Sequence, residues 1–251
     1  MNTASTTHFV LIPSFNTGAL LHTTVREARQ YWSPVWVVID GSTDGSEAEL
    51  LHMQQNDPGL HVLVLEKNQG KGATVLHGLR EATRLGFTHA LTMDADGQHP
   101  AQKIPEFMAA SLANANALVL GVPVFDASAP ALRVKGRKIS NWWANLETLW
   151  QGIGDSLYGF RVYPAHLLIS VMKKNRWMRR FDFDPEAAVR LCWYGAQPVN
   201  IPAPVKYLRP EEGGVSHFNY LRDNLLLTGM HLRLFMGFII RLPLLIWRKW
   251  Y

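Results

Sequence analysis

The sequence predicts an α/β protein with a mostly parallel β-sheet covered by helices on both faces. Short apolar runs alternate with segments of helical spacing through the first half of the chain. Each apolar run ends in a loop that is rich in glycine and polar residues. Strands that alternate with helices in this way pair in parallel, and such sheets bind ligands at the carboxyl ends of their strands. We therefore expect the functional site among these loops.

The first two strands are predicted from runs of apolar residues. His8–Pro13 reads HFVLIP and precedes a segment of helical spacing, Thr17–Trp32. The second strand, Val35–Ile39, is wholly apolar and is followed directly by Asp40. An acid at the end of a buried strand is energetically costly unless it has a partner, so we expect the Asp40 carboxylate to have one. Asp44 better fits a turn or a helix cap.

Three further strands follow at similar intervals. They are predicted over His61–Leu65, Ala90–Met93 and Ala117–Val122. A helix begins after the third strand, at Gly70-Lys71-Gly72. Because a helix N-terminus favours an anion, Lys71 is a candidate for binding phosphate; the alternative is a solvated surface lysine.

The loop after the fourth strand carries the most informative motif. Asp94, Asp96 and Gln98 stand at alternate positions, and Gly97 and Pro100 end the strand. Two carboxylates and an amide oxygen are the hard ligands that Mg²⁺ or Mn²⁺ prefers when it is shared with substrate phosphates. Alone, such a motif is more often a solvated turn, but the neighbouring loops favour a metal site here.

Other common loop motifs fail on spacing. A dinucleotide-binding G-x-G-x-x-G starting at Gly70 would need its third glycine at Val75, and a Walker A loop would need Ser or Thr at Gly72. An EF-hand loop starting at Asp40 would need Glu at Leu51. The sequence therefore argues against a nicotinamide-dependent enzyme and a calcium-binding protein.

Composition indicates a globular protein with an uneven charge distribution. Of 251 residues, 47% are apolar and 18% are charged, as in a folded domain. The single cysteine, Cys192, excludes an internal disulfide and a cysteine-based zinc site, and Met1–Thr7 predicts no signal peptide. Residues 1–125 carry 7 basic and 11 acidic side chains, whereas residues 126–251 carry 18 and 9. We therefore expect the second half to meet an anionic partner.

Together these motifs resemble the family-2 glycosyltransferases of GT-A fold, a Rossmann-like fold. The resemblance is closest to the dolichyl-phosphate mannose synthase type and its polyprenyl-phosphate relatives, and it covers about residues 8–218. The segments that carry it follow the family's order: IPSFN, VVIDGSTDGS, NQGKGATVLHGL, MDADGQHP, GFR, FDFDPEAAVRL and IPAPVKYLRPEEGGVSHF. The resemblance implies a GT-A domain over residues 1–218 that acts as an inverting, metal-dependent hexosyltransferase.

The resemblance also implies a site for a nucleotide-sugar donor. The base pocket would be shaped by Pro13 and Asn16, with Asp40 accepting a hydrogen bond from the base. Lys71 and Arg137 would bind the phosphates, and Asp94 would contact the ribose or a metal-held water.

The same resemblance implies that Asp96 and Gln98 hold Mg²⁺ or Mn²⁺ between the two phosphates, which makes Asp96 a catalytic residue. The ion would neutralise charge on the departing nucleoside diphosphate. We expect His99 to pack or cap rather than bind the ion. The chain departs from the family at Gly121-Val122-Pro123, where relatives carry a second phosphate-binding arginine.

The acceptor side is predicted from residues of the second half. Asp184 and Glu186 would include a general base if the acceptor is a hydroxyl, and positioning groups if it is a phosphate, which is already anionic. Acids in a first helical turn are also ordinary partners of the helix dipole. The candidates for holding phosphate are Arg161, Arg209, Ser216 and His217.

From residue 219 onward the chain is rich in leucine, isoleucine and aromatic residues, with Arg222, Arg233 and Arg241 interrupting the apolar runs and Pro243 expected to break the helix. A membrane span needs ~20 predominantly apolar residues, which this pattern lacks. We therefore expect residues 219–251 to form amphipathic helices on a membrane surface, at the cytoplasmic face of the inner membrane. The alternative is the core helix of a homodimer.

The sequence thus predicts transfer of a sugar from a GDP- or UDP-hexose to a membrane lipid carrier, most directly polyprenyl phosphate. One rival is transfer to a lipid hydroxyl, as in a glycolipid or an aryl-polyene-type lipid. Another is an inactive transferase scaffold that serves as a basic membrane-binding module. The expected partners are the nucleotide sugar, the lipid acceptor and the membrane surface, with no nucleic acid.

Overall fold

The computed structural model describes residues 4–125, 131–205 and 220–250. Seven strands form one sheet in the order β3-β2-β1-β4-β6-β5-β7. The strands are β1 (His8–Ser14), β2 (Val35–Asp40), β3 (Leu60–Leu65), β4 (His89–Thr92), β5 (Ala117–Val124), β6 (Arg161–Pro164) and β7 (Gln197–Pro204). All neighbouring strands pair in parallel except β6, which is antiparallel to β4 and β5.

Eight helices connect these strands or follow them in the described residues. They are α1 (Ala19–Tyr31), α2 (Ser46–Asn56), α3 (Lys71–Arg84), α4 (Ile104–Ala113), α5 (Ala131–Glu147), α6 (Ala165–Lys174), α7 (Phe183–Trp193) and α8 (Tyr220–Trp250). A 3₁₀ turn, Ala101–Lys103, precedes α4. The predicted α/β class is confirmed.

A hydrophobic core lies on each face of the sheet. Phe9 and Leu11 of β1 point into the core shared with α3, α6, α7 and α8. Val10 and Ile12 point into the opposite core, shared with α1 and α4. Successive side chains of a strand face opposite sides, so an unbroken apolar run such as HFVLIP is expected where both faces are covered.

The five predicted strands are all present, whereas β6 and β7 were not predicted. β7 reads QPVNIPAP, and its three prolines argue against a strand. The prolines are tolerated because β7 lies at the edge of the sheet and, among the described residues, pairs with β5 alone. β6 has only four residues and contains Arg161, which hides its strand character.

The C-terminal segment differs from the prediction in its continuity. It is a single helix of 31 residues, and Pro243 lies inside it rather than breaking it. Met230, Leu234, Phe238 and Leu245 are buried in the core with α7, so packing on both sides of the proline holds the helix together. The boundary expected at residue 218 lies outside the described residues.

The outer side of α8 is apolar. By length and composition, Arg222–Trp250 could cross a membrane, with 22% of its most apolar window buried. This differs from the expectation that the segment is too interrupted to do so. The exposed apolar residues of α8, which we call the α8 apolar face, are Leu225, Leu232, Met236, Ile239, Ile240, Leu244, Ile246, Trp247 and Trp250.

Candidate active site

The candidate site forms where the loop after β4 meets the first turns of α3 and α7. Lys71 is the first residue of α3, Asp184 is the second residue of α7, and Asp94 follows the end of β4. The Lys71 ammonium lies 2.6 Å from Asp94 Oδ1 and 2.7 Å from Asp184 Oδ2. One cation therefore joins two carboxylates that come from distant parts of the chain.

Glycines allow the backbone to approach this ion group. A Cβ at Gly159 would lie 2.6 Å from Lys71 Nζ and 3.0 Å from Asp94 Oδ2. At the start of α3, Gly70 has φ 92°, and a Cβ there would lie 2.5 Å from the carbonyl oxygen of Arg179. The N–H of Gly72 donates to that same carbonyl at 3.0 Å. The carbonyl oxygen of Arg179 thus accepts two N–H groups in the first turn of α3, the helix N-terminus at which an anion was expected.

The charges of Lys71, Asp94 and Asp184 stabilise one another. Burial opposes the charge of Lys71, but Asp184 and Asp94 together raise the pKa of Lys71 above its usual value. Burial also opposes ionisation of Asp94, yet Lys71 and its neighbours lower the Asp94 pKa. Burial and the charge of Asp94 raise the pKa of Asp96 to about 6. Asp96 is therefore the carboxylate that gains most from an additional cation.

Asp96 and Gln98 lie on the half-exposed side of the loop after β4. The Gln98 N–H donates to Asp96 Oδ1 at 3.1 Å, which holds the two side chains on one turn. Within the described residues, no group of three acidic, histidine or cysteine side chains could hold a metal ion alone. The oxygen donors present therefore fit an ion that completes its shell with water and substrate phosphates, as Mg²⁺ commonly does.

The loops after β1 and β2 are tied together beside this group. Asn16 has φ 48°, donates its N–H to Ser42 Oγ at 3.0 Å, and accepts the N–H of Thr43 at 2.8 Å. Asp44 accepts the N–H groups of Gly18 and Ser46, so it stabilises the turn before α2, one of the two roles expected for it. Asn16 stands at the carboxyl ends of adjacent strands, where the prediction placed a base pocket; Pro13 is buried within β1.

The partner of Asp40 is the protein itself. Its side chain is 2% exposed, and its two oxygens accept the N–H groups of Gln69 and Gly70, each at 2.8 Å. The carboxylate thus holds the loop that leads to Lys71. The structure corrects the prediction that Asp40 accepts a hydrogen bond from a base, because the buried carboxylate is used inside the fold.

Arg137 of α5 is held by Asp155. Its Nη1 lies 2.5 Å from Asp155 Oδ1, which also accepts the N–H groups of Leu157 and Tyr158. Asp155 is 1% exposed and so acts as the anchor of the segment 155–158. Asp155 was not predicted as a site residue. The feature that could have identified it is its position, as an isolated acid four residues before Gly159-Phe160-Arg161.

Comparison with known proteins decides the family. The family model described as glycosyl transferase family 2 matches residues 9–183, more than half of the chain. The chain belongs to glycosyltransferase family 2.

Similar proteins include two curated relatives and one solved structure. An undecaprenyl-phosphate mannosyltransferase of Micrococcus luteus is 26% identical over 76% of this chain and 80% of that protein. A polyprenol monophosphomannose synthase of Mycolicibacterium smegmatis is 28% identical over 77% and 75%. Glucosyl-3-phosphoglycerate synthase of Mycobacterium tuberculosis superposes with a TM-score of 0.67 at 14% identity, covering 93% of this chain and 80% of that one, which shows a shared fold.

Two predicted residues of this glycosyltransferase take other roles. Arg161 is fully buried, and its guanidinium donates to the carbonyl oxygens of Tyr158, Asp155 and Asp184. The structure therefore corrects the prediction that Arg161 holds an acceptor phosphate. Arg161 lies beneath the site, where its hydrogen bonds hold the main chain of Asp184 in place.

Glu186 also differs from the prediction that it contacts the acceptor. It is fully buried and faces away from Lys71, towards Arg190 at 2.7 Å and Arg233 of α8 at 3.3 Å. It is thus a structural ion-pair residue and not a group that an acceptor reaches. The other predicted phosphate-binding residues, Arg209, Ser216 and His217, lie outside the described residues.

His99 packs, as expected. It is buried, its Nδ1 accepts the N–H of Asp94 at 2.9 Å, and its ring contacts that of Tyr158 edge to face.

Cys192 is buried on α7, and burial raises its pKa to about 12, so it fills space. Tyr163 was not predicted; its hydroxyl lies 3.4 Å from Asp184 Oδ1.

Proposed function

We propose that this glycosyltransferase transfers a sugar from a nucleotide diphosphate sugar to the phosphate of a polyprenyl lipid. The observation that carries the choice of acceptor is the pairing of Asp184. One of its oxygens faces the Lys71 ammonium and the other faces the Tyr163 hydroxyl. Both oxygens of Asp184 are thus occupied by partners within the protein, and Glu186 is too deeply buried for an acceptor to reach.

A hydroxyl acceptor needs a general base to remove its proton. A phosphate acceptor is already an anion and needs none. With Asp96 assigned to the metal ion, Asp184 and Glu186 are the acids left for this role, and both are already paired within the protein. This pairing supports the phosphate acceptor. The names of the two curated relatives support the same substrate class.

On this proposal, Lys71 and Arg137 provide positive charge near the donor phosphates, while Asp94 and Asp184 keep the lysine in place. Asp96 and Gln98 would hold Mg²⁺ or Mn²⁺, which stabilises negative charge on the departing nucleoside diphosphate. The segment after β1, with Asn16, lines the place where the nucleoside binds.

We also propose that the enzyme works at the cytoplasmic face of the plasma membrane. A polyprenyl lipid lies in the bilayer, so the enzyme must approach it. The α8 apolar face, with Trp247 and Trp250 beside Arg248 and Lys249, has the composition of a helix that lies in the headgroup region.

The test is a transfer assay with purified protein and a panel of radiolabelled GDP- and UDP-sugars. Each donor is combined with polyprenyl phosphate, with the matching polyprenol, or with a glycolipid, in Mg²⁺, in Mn²⁺ or in EDTA. We expect label in the organic phase only with polyprenyl phosphate and a divalent ion. Equal labelling of the polyprenol would overturn the choice of acceptor, and full transfer in EDTA would overturn the metal.

A further inference from the structure

Helix α8 contacts both segments that frame the candidate site. Its Arg233 lies 3.3 Å from Glu186 and 3.8 Å from Asp182, on either side of Asp184 in the first turn of α7. Two residues earlier, His231 enters a buried chain of polar side chains that leads to segment 155–158. The helix is thus attached to the catalytic edge of the sheet by specific polar contacts as well as by apolar packing.

The chain of hydrogen bonds starts at Glu147, the last residue of α5. Its Oε1 lies 3.0 Å from His231 Nδ1, and His231 Nε2 lies 3.1 Å from Ser140 Oγ. Ser140 Oγ lies 3.0 Å from Ser156 Oγ, which donates to Asn141 Oδ1 at 2.8 Å. Glu147 and Ser156 are fully buried, and Ser140 and His231 are less than a tenth exposed. We call these residues the His231 relay.

The relay continues to the site itself. Asn141 Nδ2 donates to Asp155 Oδ2 at 3.1 Å, and Asp155 holds Arg137 through its other oxygen. The carbonyl oxygen of Asp155 accepts from Arg161, which also donates to the carbonyl oxygen of Asp184. An unbroken series of hydrogen bonds therefore joins α8 to Arg137 and to the main chain of Asp184.

The hydrogens that the relay contacts require indicate that His231 carries a hydrogen on Nε2. Three contacts run from His231 Nε2 through Ser140 and Ser156 to Asn141 Oδ1, and each needs one hydrogen. The two hydroxyls supply two, and the amide oxygen supplies none. The third must come from His231 Nε2. The contact to Glu147 needs a further proton, carried by His231 Nδ1 or by the glutamate.

We propose that His231 is a positioning residue of this enzyme: protonated at Nε2, it couples the docking of α8 to the geometry of segment 155–158 and thereby to Arg137. The effect of His231 on catalysis rests on the proposed function, whereas the relay of hydrogen bonds does not depend on it. It deepens that function, because the helix proposed to contact the membrane is the one that sets the site.

The surroundings of the pair support a bound proton. Glu147 Oε2 is buried without a hydrogen-bond partner among the described residues. Burial raises the pKa of the Glu147 carboxyl against the opposing effect of His231, and Glu186 raises it further. Glu186 is itself paired with Arg190 of α7 and Arg233 of α8. A proton held between Glu147 and His231 gives the buried acid a partner that it would otherwise lack.

The decisive variants are His231→Gln and His231→Asn. A glutamine amide nitrogen falls near the position of the histidine Nε2 and keeps a donor for Ser140, whereas an asparagine reaches only the position of Nδ1. We expect kcat of His231→Asn and of Ser140→Ala to fall about tenfold, with His231→Gln close to wild type. The double variant Ser140→Ala, His231→Asn should be no worse than either single one, because both cut the same connection. Thr228→Ala, on the exposed side of α8, is the control.

A merely structural role predicts a different pattern. In that case Gln and Asn would have equal effects, or losses of kcat would vanish once the folded fraction is measured from the melting temperature; either result overturns the proposal. Two readouts need no sugar transfer. Hydrogen exchange at the N–H groups of Leu157 and Tyr158 should speed up in Ser140→Ala, and ¹⁵N NMR at pH 7 should show a proton on His231 Nε2. An unprotonated Nε2 would contradict the relay even if the transfer assay fails for every donor.

Discussion

Asp184 and Glu186 lie two positions apart at the start of α7, yet their surroundings are opposite. Asp184 faces Lys71 and Tyr163, whereas Glu186 faces Arg190 and Arg233. From the sequence pattern alone, the two acids were equivalent candidates for the acceptor site. Their separation follows from helix geometry, because residues two apart point to different sides of a helix.

We predict different outcomes for the two amide variants. Asp184→Asn should lower kcat at saturating acceptor by less than about tenfold, since no proton has to be removed; loss of a general base typically costs ~10²–10⁴-fold. Glu186→Gln should instead lower the free energy of unfolding by about 3 kcal/mol, because two arginines lose a buried anion. Steady-state kinetics and urea unfolding of both proteins measure this. A thousandfold loss of kcat in Asp184→Asn would favour a hydroxyl acceptor.

Gly159 provides a second residue-scale prediction. Its added methyl in Gly159→Ala would lie 2.6 Å from Lys71 Nζ and push the ammonium off Asp94. We expect kcat/KM for the donor to fall by at least about tenfold. Gly136→Ala on α5, where a Cβ meets nothing within 4 Å, is the matched control and should leave kcat/KM unchanged. If both variants behave alike, the close approach at Gly159 does not matter for the reaction.

At the scale of elements, α8 has two sides with distinct roles. Met230 and Leu234 are buried against the domain, while Ile240 is 77% exposed and Trp247 is 60% exposed. Truncation before α8 would remove both sides at once and expose the core. Substitution of the α8 apolar face alone separates membrane binding from folding.

We therefore predict that Ile240→Ser with Trp247→Ser weakens co-sedimentation with phosphatidylglycerol vesicles without lowering the melting temperature. The transfer of two largely exposed apolar side chains into a bilayer contributes about 2–4 kcal/mol. The control carries Leu85→Ser with Leu112→Ser, which are exposed on α3 and α4 sides of the domain. Equal vesicle binding of the two double variants and the wild type would show that α8 is not the attachment surface.

The element pattern also shows what the sequence could predict. The strands β1 to β5 carry continuous apolar runs, so each was visible locally. β7 was hidden by its prolines and is a strand because of its neighbour β5. Lys71 and Asp94 were predicted from the loops after their strands, but the contact of Lys71 with Asp184 joins residues 113 positions apart. The burial of Arg161 likewise depends on three carbonyl groups that only the folded chain brings together.

At the scale of the whole molecule, the sheet buries polar side chains as well as apolar ones. His8 of β1 stacks on His89 of β4, with ring centroids 4.5 Å apart, and contacts Ser111 of α4 at 3.1 Å. Burial, with a smaller effect of His89, lowers the pKa of His8 from 6.5 to about 4. Between these two pH values the unfolded chain binds more protons than the folded protein. Stability must therefore fall as the pH falls through this window.

We predict that His8 accounts for about 2 kcal/mol of the stability lost between pH 7 and pH 5, from the difference between pKa values of 6.5 and about 4. The measurement is the free energy of unfolding in urea at both pH values for wild type, His8→Gln and the exposed-site control His52→Gln. His8→Gln should show a smaller loss than wild type by about that amount, whereas His52→Gln should match wild type. Carboxylates that titrate in the same range contribute equally to all three proteins and cancel in the comparison. An unchanged pH dependence in His8→Gln would mean that the buried imidazole is protonated without cost, contrary to its position between two packed layers.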